Sequence, residues 1–458
     1  MTEQKRILFI SHSHLLSGGA ELSLLEIVTY FHDQKYKVKV VLPAKGEFSS
    51  RLSKLKIPFY IASYGWSAAA RGERKETRKS LEIYNADSMI QAYTIMQSYK
   101  PNVVFTNTIV VPWYGYVAKA LNIPHVLLIS ETYDTMSNLR LLPGDSEYFN
   151  QVKSTTDFIF YNSHFTRSTY GDIFRDIDNE ILYPVVSIRP SDLSLLDTHA
   201  SITGGPLKII VFGSIALHKN QMGALEALLI LVKQGVEAHL TILGATGSEK
   251  YLKRLKEFIS SNKLTNNVVF LPHSTNPFGV ISDHSIVLVP SLCETFGRVT
   301  VEGQLLGRVV IGSRAGGTAE LIDDHKTGLL YTLGNPTELA EKIKWTLTNP
   351  LEAEAIAKLA QEQAIKEFFN TNSNQTAMQR INLLLEREIA QSDIRYNYVR
   401  TLIERNIHVN KKLDEYSSAL NESIQRNNEL FQENEKIKNH ISARVVNKAK
   451  RILRIDKQ

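Results

Sequence analysis

Short apolar runs alternate with helical stretches along the first 350 residues, and this alternation leaves few architectures open. Residues 5–11 (KRILFIS) form an apolar run, followed by HSHLLSGGAE. Leu24, Leu25, Val28 and Phe31 then recur at helical spacing, and Lys37–Leu42 reads as the next strand. Strand, glycine-bearing turn, helix and strand make a parallel βαβ unit. Further apolar runs at Val103–Thr106, Val126–Ile129, Phe158–Tyr161 and Ile181–Val185 extend it into a doubly wound α/β domain over residues 1–186.

Residues 187–205 are rich in polar and turn-forming side chains and read as an interdomain linker. The series then restarts. Leu207–Phe212 is a strand ending at Gly213, Gln221–Gln234 a helix, Ala238–Leu243 a strand and Tyr251–Asn262 a helix. Strands follow at Val268–Leu271, Ser285–Val289 and Val309–Gly312, giving a second Rossmann-like domain over 206–350. Residues 351–380 are expected to be a helical crossover, with Glu352–Phe369 packing across the two domains.

Residues 381–443 change character. Counting in sevens from Val399 gives Asn406, Leu413, Leu420, Asn427, Asn434 and Ile441; a second seam runs Leu402, Val409, Tyr416, Ser423, Leu430 and Ile437. Most of these are apolar, which predicts a coiled coil and a homo-oligomer, the asparagines favouring a parallel pair in one register. The alternative is a long helix packed on the globular body. In residues 444–458, Arg444, Lys448, Lys450, Arg451, Arg454 and Lys457 face a single acid, Asp456. With Val445, Ile452 and Leu453 on one face, this tail predicts either a solvated basic end or an amphipathic helix for an anionic membrane surface. The net charge of +6 is concentrated there, and no base-reading motif accompanies it, which disfavours nucleic acid as a partner.

The single cysteine, Cys293, excludes an internal disulfide and a cysteine-rich metal cluster. No apolar stretch approaches the roughly 20 residues of a membrane span, and the N-terminus lacks a basic-then-apolar leader. The expected location is the cytoplasm, with peripheral contact at the inner face of the membrane.

The chemistry concentrates in residues 287–330. Glu294 follows a strand end, where open α/β sheets bind ligands. Thr295, Phe296 and Gly297 lead into a helix beginning near Arg298, whose first N–H groups suit a pyrophosphate. Glu302 lies eight residues beyond Glu294. A carboxylate accepts two hydroxyls of a diol through its two oxygens, so the pair fits a hexose and a ribose, or simply surface and capping positions. Gly316 and Gly317 follow another strand and allow close nucleotide approach; Glu320 is placed to cap the helix they begin. Lys219, after the first strand of the second domain, is a charge to set against a diphosphate or an exposed surface lysine. Gly18 and Gly19 admit phosphate or sugar oxygens, or serve only as a tight strand-to-helix turn.

Together these residues resemble the signature of glycosyltransferase family 4, retaining enzymes of GT-B fold: Glu294, Phe296, Gly297 and Glu302, then Gly316-Gly317-x-x-Glu320, then Asp324 through Gly328. Gly213 through Lys219 resembles the family's phosphate loop, and Gly18-Gly19-Ala-Glu21 its N-terminal G-G-x-E. The resemblance spans residues 5–370. It implies that Glu294 contacts donor-sugar hydroxyls, Glu302 the ribose and Lys219 the diphosphate. Two departures stand out. Ser214 occupies a place often held by arginine, and Ser130, followed by Glu131, a place often held by a histidine near the reacting carbon. Glu131 is either an active-site acid or a capping, core-edge one.

The resemblance implies retaining transfer from a nucleoside diphosphate-sugar to a glycan or lipid-linked hydroxyl, in bacterial surface-polysaccharide synthesis. No D-x-D handle stands at a strand end, and neither metal nor cofactor is expected. The basic stretch 66–80, with Arg71, Arg74, Lys75, Arg78 and Lys79, is a loop suited to an anionic acceptor; the rod is suited to an assembly partner. A nucleotide-sugar epimerase and a noncatalytic glycan-binding scaffold are the competing readings.

Overall fold

A computed structural model describes residues 4–16, 18–70, 75–132, 139–142, 144–199, 201–202, 205–274, 276–369 and 372–386, with scattered positions between 404 and 436. The first domain contains β1 (Arg6–Ile10), α1 (Gly19–Asp33), β2 (Lys37–Leu42), α2 (Glu47–Lys54), β3 (Phe59–Ile61), β4 (Ala68–Ala70), α3 (Lys75–Tyr99), β5 (Val103–Asn107), α4 (Trp113–Ala120), β6 (His125–Ile129), β7 (Leu139–Leu141), α5 (Asp145–Thr155), β8 (Phe158–Tyr161), α6 (His164–Tyr170) and β9 (Asn179–Ile181). Seven strands form one sheet in the order β3-β2-β1-β5-β6-β8-β9, all pairings parallel. β4 and β7 pair antiparallel beside it.

The second domain contains β10 (Leu207–Phe212), α7 (Gln221–Lys233), β11 (Ala238–Leu243), α8 (Glu249–Ser261), β12 (Val268–Leu271), α9 (Pro277–Ser282), β13 (Ile286–Val289), α10 (Arg298–Leu305), β14 (Val309–Ser313), α11 (Gly316–Leu321), β15 (Leu329–Tyr331), α12 (Pro336–Thr348) and α13 (Pro350–Ala364). Its six strands order as β12-β11-β10-β13-β14-β15, again parallel. Strand order reverses between β1 and β5 in one sheet and between β10 and β13 in the other. Crevices at such reversals, beyond the C-terminal strand ends, are where doubly wound sheets bind ligands.

The strand sequences explain the architecture. β5, β6, β8, β13 and β14 are buried at every residue, as parallel strands covered by helices on both faces must be. Helix starts are fixed by side chains: Ser163 accepts from the Thr166 amide, Asn220 from Gly223 and Ser248 from Tyr251.

Two expectations are corrected. The run Ile181–Val185 is not a strand: β9 ends at Ile181. Pro184 has no amide to give a ladder, and the Val186 amide instead donates to Phe368 O at 2.8 Å. Within the turn-rich linker, Pro190–Asp197 forms 3-10 turns. The stretch 66–80 is not one loop, since β4 occupies part of it and α3 begins at Lys75; Arg71 and Arg74 lie outside the described residues.

The end of the globular body is the main departure in topology. After α13, Ile365–Phe369 make a π-helical turn, and Phe368 packs against Tyr183 and Phe296 with ring centroids 5.6 Å away in each case. The next helix, α14 (Asn372–Glu386), returns to the first domain. Its Ala377, Ile381 and Leu384 lie in the same core as Phe9, Leu24 and Phe31, and Asn382 receives hydrogen bonds from Lys5 Nζ at 3.2 Å and Tyr36 Oη at 2.9 Å. The boundary drawn at residue 380 therefore falls inside α14.

Residues 394–458 form a separate unit. Its described residues, from Glu404 to Lys436, are helical and exposed. Apart from Ser423, the heptad seam lies outside the described residues, as does the tail 444–458. No described helix is long and apolar enough to cross a membrane.

One buried titratable group makes the first sheet pH-sensitive. His125, at the start of β6, is 2% exposed. Its ring nitrogens lie 3.1 Å from Thr155 O and 2.9 Å from Thr106 Oγ1. Burial depresses its pKa from 6.5 to about 4, with the Asp157 charge opposing. The native state therefore favours the neutral ring, and stability present above the unfolded value is lost as pH falls from 6.5 towards 4. Denaturant titrations should show a contribution of ~1.4 kcal/mol per pH unit across that window, and His125→Gln should remove it.

Candidate functional site

The C-terminal edge of the second sheet gathers the acids and the lysine of the motif. Lys219 ends a 3-10 turn, Leu217–Lys219, directly before α7. Glu294 lies between β13 and α10. Lys219 Nζ is 2.6 Å from Glu294 Oε1, and Ser291 Oγ donates to the same oxygen at 2.6 Å. The two charged side chains are 19% and 13% exposed, accessible enough to exchange partners with an incoming ligand.

Glu302, one turn into α10, accepts from Arg298 Nε at 3.1 Å. The same guanidinium crosses to the first domain: NH2 donates to Glu26 Oε1 at 2.9 Å, and NH1 to Glu26 Oε2 and Val185 O, each at 3.2 Å. Glu26 also accepts from the Ser187 amide at 3.2 Å. Burial pushes the Glu302 carboxyl above its ordinary range; Arg298 works against this rise, Glu26 adds to it and Lys219 lowers it. Arg298 is held above its own ordinary value: burial lowers it, but Glu26 and Glu302 outweigh that effect.

The segment between the two acids is fastened to the first domain. Ser163 Oγ and Thr166 Oγ1, at the start of α6, both donate to Thr295 O, the latter at 3.2 Å. Asn162 Nδ2 lies 3.3 Å from Thr295 Oγ1 and from Ser130 O, so Thr295 and Ser130 share one interdomain seam. Phe296 is buried against Tyr183 and Phe368. Gly297 caps α10 with φ +100°, a conformation that favours glycine.

At Gly316 and Gly317 the side on which a Cβ would project is filled by neighbouring backbone. Gly316 has φ +59°, and a Cβ there would meet the Glu294 backbone; one at Gly317 would meet the Phe296 carbonyl. The pair lets the β14–α11 turn lie against the acid-bearing loop, with Gly317 N donating to Glu294 O at 2.7 Å. Glu320 differs from expectation. It caps not α11 but α6 of the other domain, accepting from His164 N at 3.0 Å, Phe165 N at 2.8 Å and Tyr183 Oη at 2.6 Å.

In the phosphate-like loop, Gly213 has φ +122°, and Ser214 O accepts from Gln221 Nε2 at 2.9 Å. In the first domain, Gly18 precedes α1 and Gly19 begins it; no atom outside the local chain stands within 4 Å of where a Gly19 Cβ would be. Glu131 turns inward. One oxygen accepts from the Ile109 amide, the other from Ser130 N at 3.0 Å. Burial raises its carboxyl, while those amides and the His12 charge oppose the rise.

Sequence reading missed several participants. Arg298 follows the motif glycine and was visible as a charge at a helix start. Glu26 carried no signal, because its partner is 272 residues away. Next to β1, His12 Nε2 lies 3.1 Å from Glu21 Oε1. Burial alone would raise Glu21, but His12 and Ser13 bring it below the usual carboxylate range. Among the described residues, no group of three His, Cys, Asp or Glu side chains is arranged to hold a metal ion.

Comparison with known proteins separates the fold from the activity. HepE (Alr3699) of Anabaena, solved in complex with UDP, superposes with a TM-score of 0.67 at 21% identity, over 82% of this chain and 100% of HepE. A glycosyltransferase of Rickettsia africae gives 0.67 at 18% identity, over 84% and 100%. The fold is GT-B. Within this GT-B chain, residues 199–363 match the family model described as Glycosyl transferases group 1. The capsular polysaccharide biosynthesis glycosyltransferase CapM of Staphylococcus aureus is 24% identical over 157 residues, 34% of this chain and 40% of CapM. The uncharacterized glycosyltransferase MJ1178 of Methanocaldococcus jannaschii is 34% identical over 104 residues, 22% and 30% of the two chains. The alignments thus span less than half of either curated relative.

The Glu320 contact makes a mechanical prediction for the GT-B interface. Glu320→Ala removes two charge-assisted bonds to α6 and one from Tyr183, and should cost about 1–3 kcal/mol. Thermal unfolding should show a lower midpoint, with part of the loss restored in Glu320→Gln.

Proposed function

We propose that this protein is a retaining glycosyltransferase that moves a sugar from a nucleoside diphosphate donor to a hydroxyl acceptor. The observation carrying this reading is the Lys219–Glu294 ion pair at the switch-point end of the second sheet. It sets a mobile cation beside an acid that can accept hydroxyls, in the same region that matches the glycosyl transferases group 1 model. The UDP and UDP-glucose complexes of the similarly folded HepE support a nucleotide-sugar as the donor.

In this reading the diphosphate draws Lys219 away from Glu294. The lysine balances the phosphate charge, and the freed carboxylate accepts hydroxyls of the donor sugar. Glu302 holds the ribose. The bond from the anomeric carbon to the diphosphate oxygen breaks with its electron pair going to phosphate. The acceptor oxygen bonds to the same face of that carbon, and its proton passes to the departing phosphate. Closure of the two domains excludes water and aligns the reactants. Ser130, with His12 and Glu21 near the end of β1, lines the acceptor side. Glu131 holds the backbone beneath it through the Ile109 and Ser130 amides.

The acceptor is a glycan or lipid-linked hydroxyl in bacterial surface-polysaccharide synthesis, a placement supported by the similarity to CapM. The heptad segment pairs chains, and the basic tail meets an anionic membrane surface. No metal or cofactor takes part in this scheme.

A screen of nucleotide-sugars against membrane extract and isolated glycans, reading both nucleotide release and transferred mass, tests the activity. Release of an isomerised free nucleotide-sugar would point to an epimerase; donor binding without turnover would point to a scaffold. Glu294→Gln should lower turnover by about 10²–10³-fold, and wild-type turnover would reject its role. Removing residues 394–458 should lower the mass measured by light scattering from that of a pair to that of a single chain while donor binding persists.

A further inference from the structure

Arg298 binds two carboxylates from different domains, and the way it divides its donors matters for the ribose. The guanidinium is a planar fork of five N–H donors that matches a carboxylate most strongly through two parallel bonds. Here its terminal nitrogens face Glu26, and only Nε faces Glu302. Glu302 is engaged through Oε1; its Oε2 has no hydrogen bond among the described residues. The three side chains are 15%, 12% and 13% exposed for Arg298, Glu26 and Glu302, so water competes little for these bonds.

We propose that Glu26 is a positioning residue for nucleotide recognition: by occupying the terminal nitrogens of Arg298 across the domain interface, it keeps one oxygen of Glu302 available to a ribose diol. This rests on the reading of Glu302 as the ribose-holding acid. Without Glu26, the fork is free to rotate onto Glu302 and take both of its oxygens. Glu26 rides on α1, so the arrangement exists only when the two domains are together. Domain closure and ribose recognition are thereby linked through one side chain. Val185 O and the Ser187 amide tie the first crossing of the chain into the same cluster, which fixes where the fork stands when Glu26 reaches it. Lys219 adds a second positive field at Glu302, so the cluster carries three acids and two bases when Glu294 is included, and none of the acids is left without a cation beside it.

The experiment compares two ligands on the full chain by calorimetry: UDP, and UDP lacking the 2′ and 3′ hydroxyls. The wild type should prefer UDP by about 10-fold or more, the scale of a hydrogen bond to a charged group. Glu26→Gln should bring the two affinities to within about 3-fold of each other while leaving the affinity for the dideoxy ligand unchanged, an outcome that general loosening of the fold would not give. Unaltered preference in Glu26→Gln overturns the proposal. Arg298→Lys, which keeps the charge but has no fork to close on both oxygens of Glu302, gives a second reading: it should keep the preference for UDP, and loss of the preference overturns the proposal even if Glu26→Gln fails to fold. Failure of the wild type to bind UDP, ADP or GDP is a different result, seen before any variant is made, and it removes the donor reading itself.

Discussion

A buried guanidinium does not shed its proton, so a protein that encloses one must bring carboxylates to it. Arg298 meets that demand by drawing Glu26 from the first domain and Glu302 from its own helix. Removing either acid leaves charge uncompensated in a poorly solvated place, which is why the two domains are not indifferent neighbours. The same demand recurs more mildly along the seam. The open N–H groups at the start of α6 take Glu320 from the second domain, and the Thr295 carbonyl takes two hydroxyls from the first. Each of these bonds satisfies a polar group at a loop or helix end, beside the apolar cluster of Tyr183, Phe296 and Phe368.

Both sheets were legible in the sequence because parallel strands covered on two sides must be continuously apolar. Runs such as Val103–Thr106 and Val309–Gly312 announce themselves without help from partners. The failures have a shared cause. Ile181–Val185 is just as apolar, yet it leaves the sheet because Pro184 cannot join a ladder and Tyr183 is wanted in an aromatic cluster with Phe296 and Phe368. Ile381 and Leu384 fall within the span 381–443 read as coiled coil, but they are buried in the core with Leu24 and Phe31, far earlier in the chain. Periodicity reports that a face is apolar; it does not report what covers it.

The site divides in the same way. Glu294, Glu302 and Lys219 were readable from spacing within a motif, and the first and last of these meet in space. The glycine pair stood out as a position, while the backbone packing it permits, Gly316 and Gly317 against the Glu294 and Phe296 backbone, could not be read from spacing. Glu320 was recognised as a capping acid and assigned to the wrong helix, since the nearest helix in sequence is not the one whose amides face it. Glu26 was invisible because a glutamate on the polar face of an amphipathic helix has no local mark of its distant partner.

The return of α14 has a consequence for how the protein is made. Its apolar face completes the core around Phe9 and Phe31, so the opening domain stays unfinished on the ribosome until α14 has emerged. At ~5–20 residues per second, the span between residues 186 and 386 takes roughly 10–40 s to synthesise. During that interval the apolar surface that α14 covers is open to a chaperone.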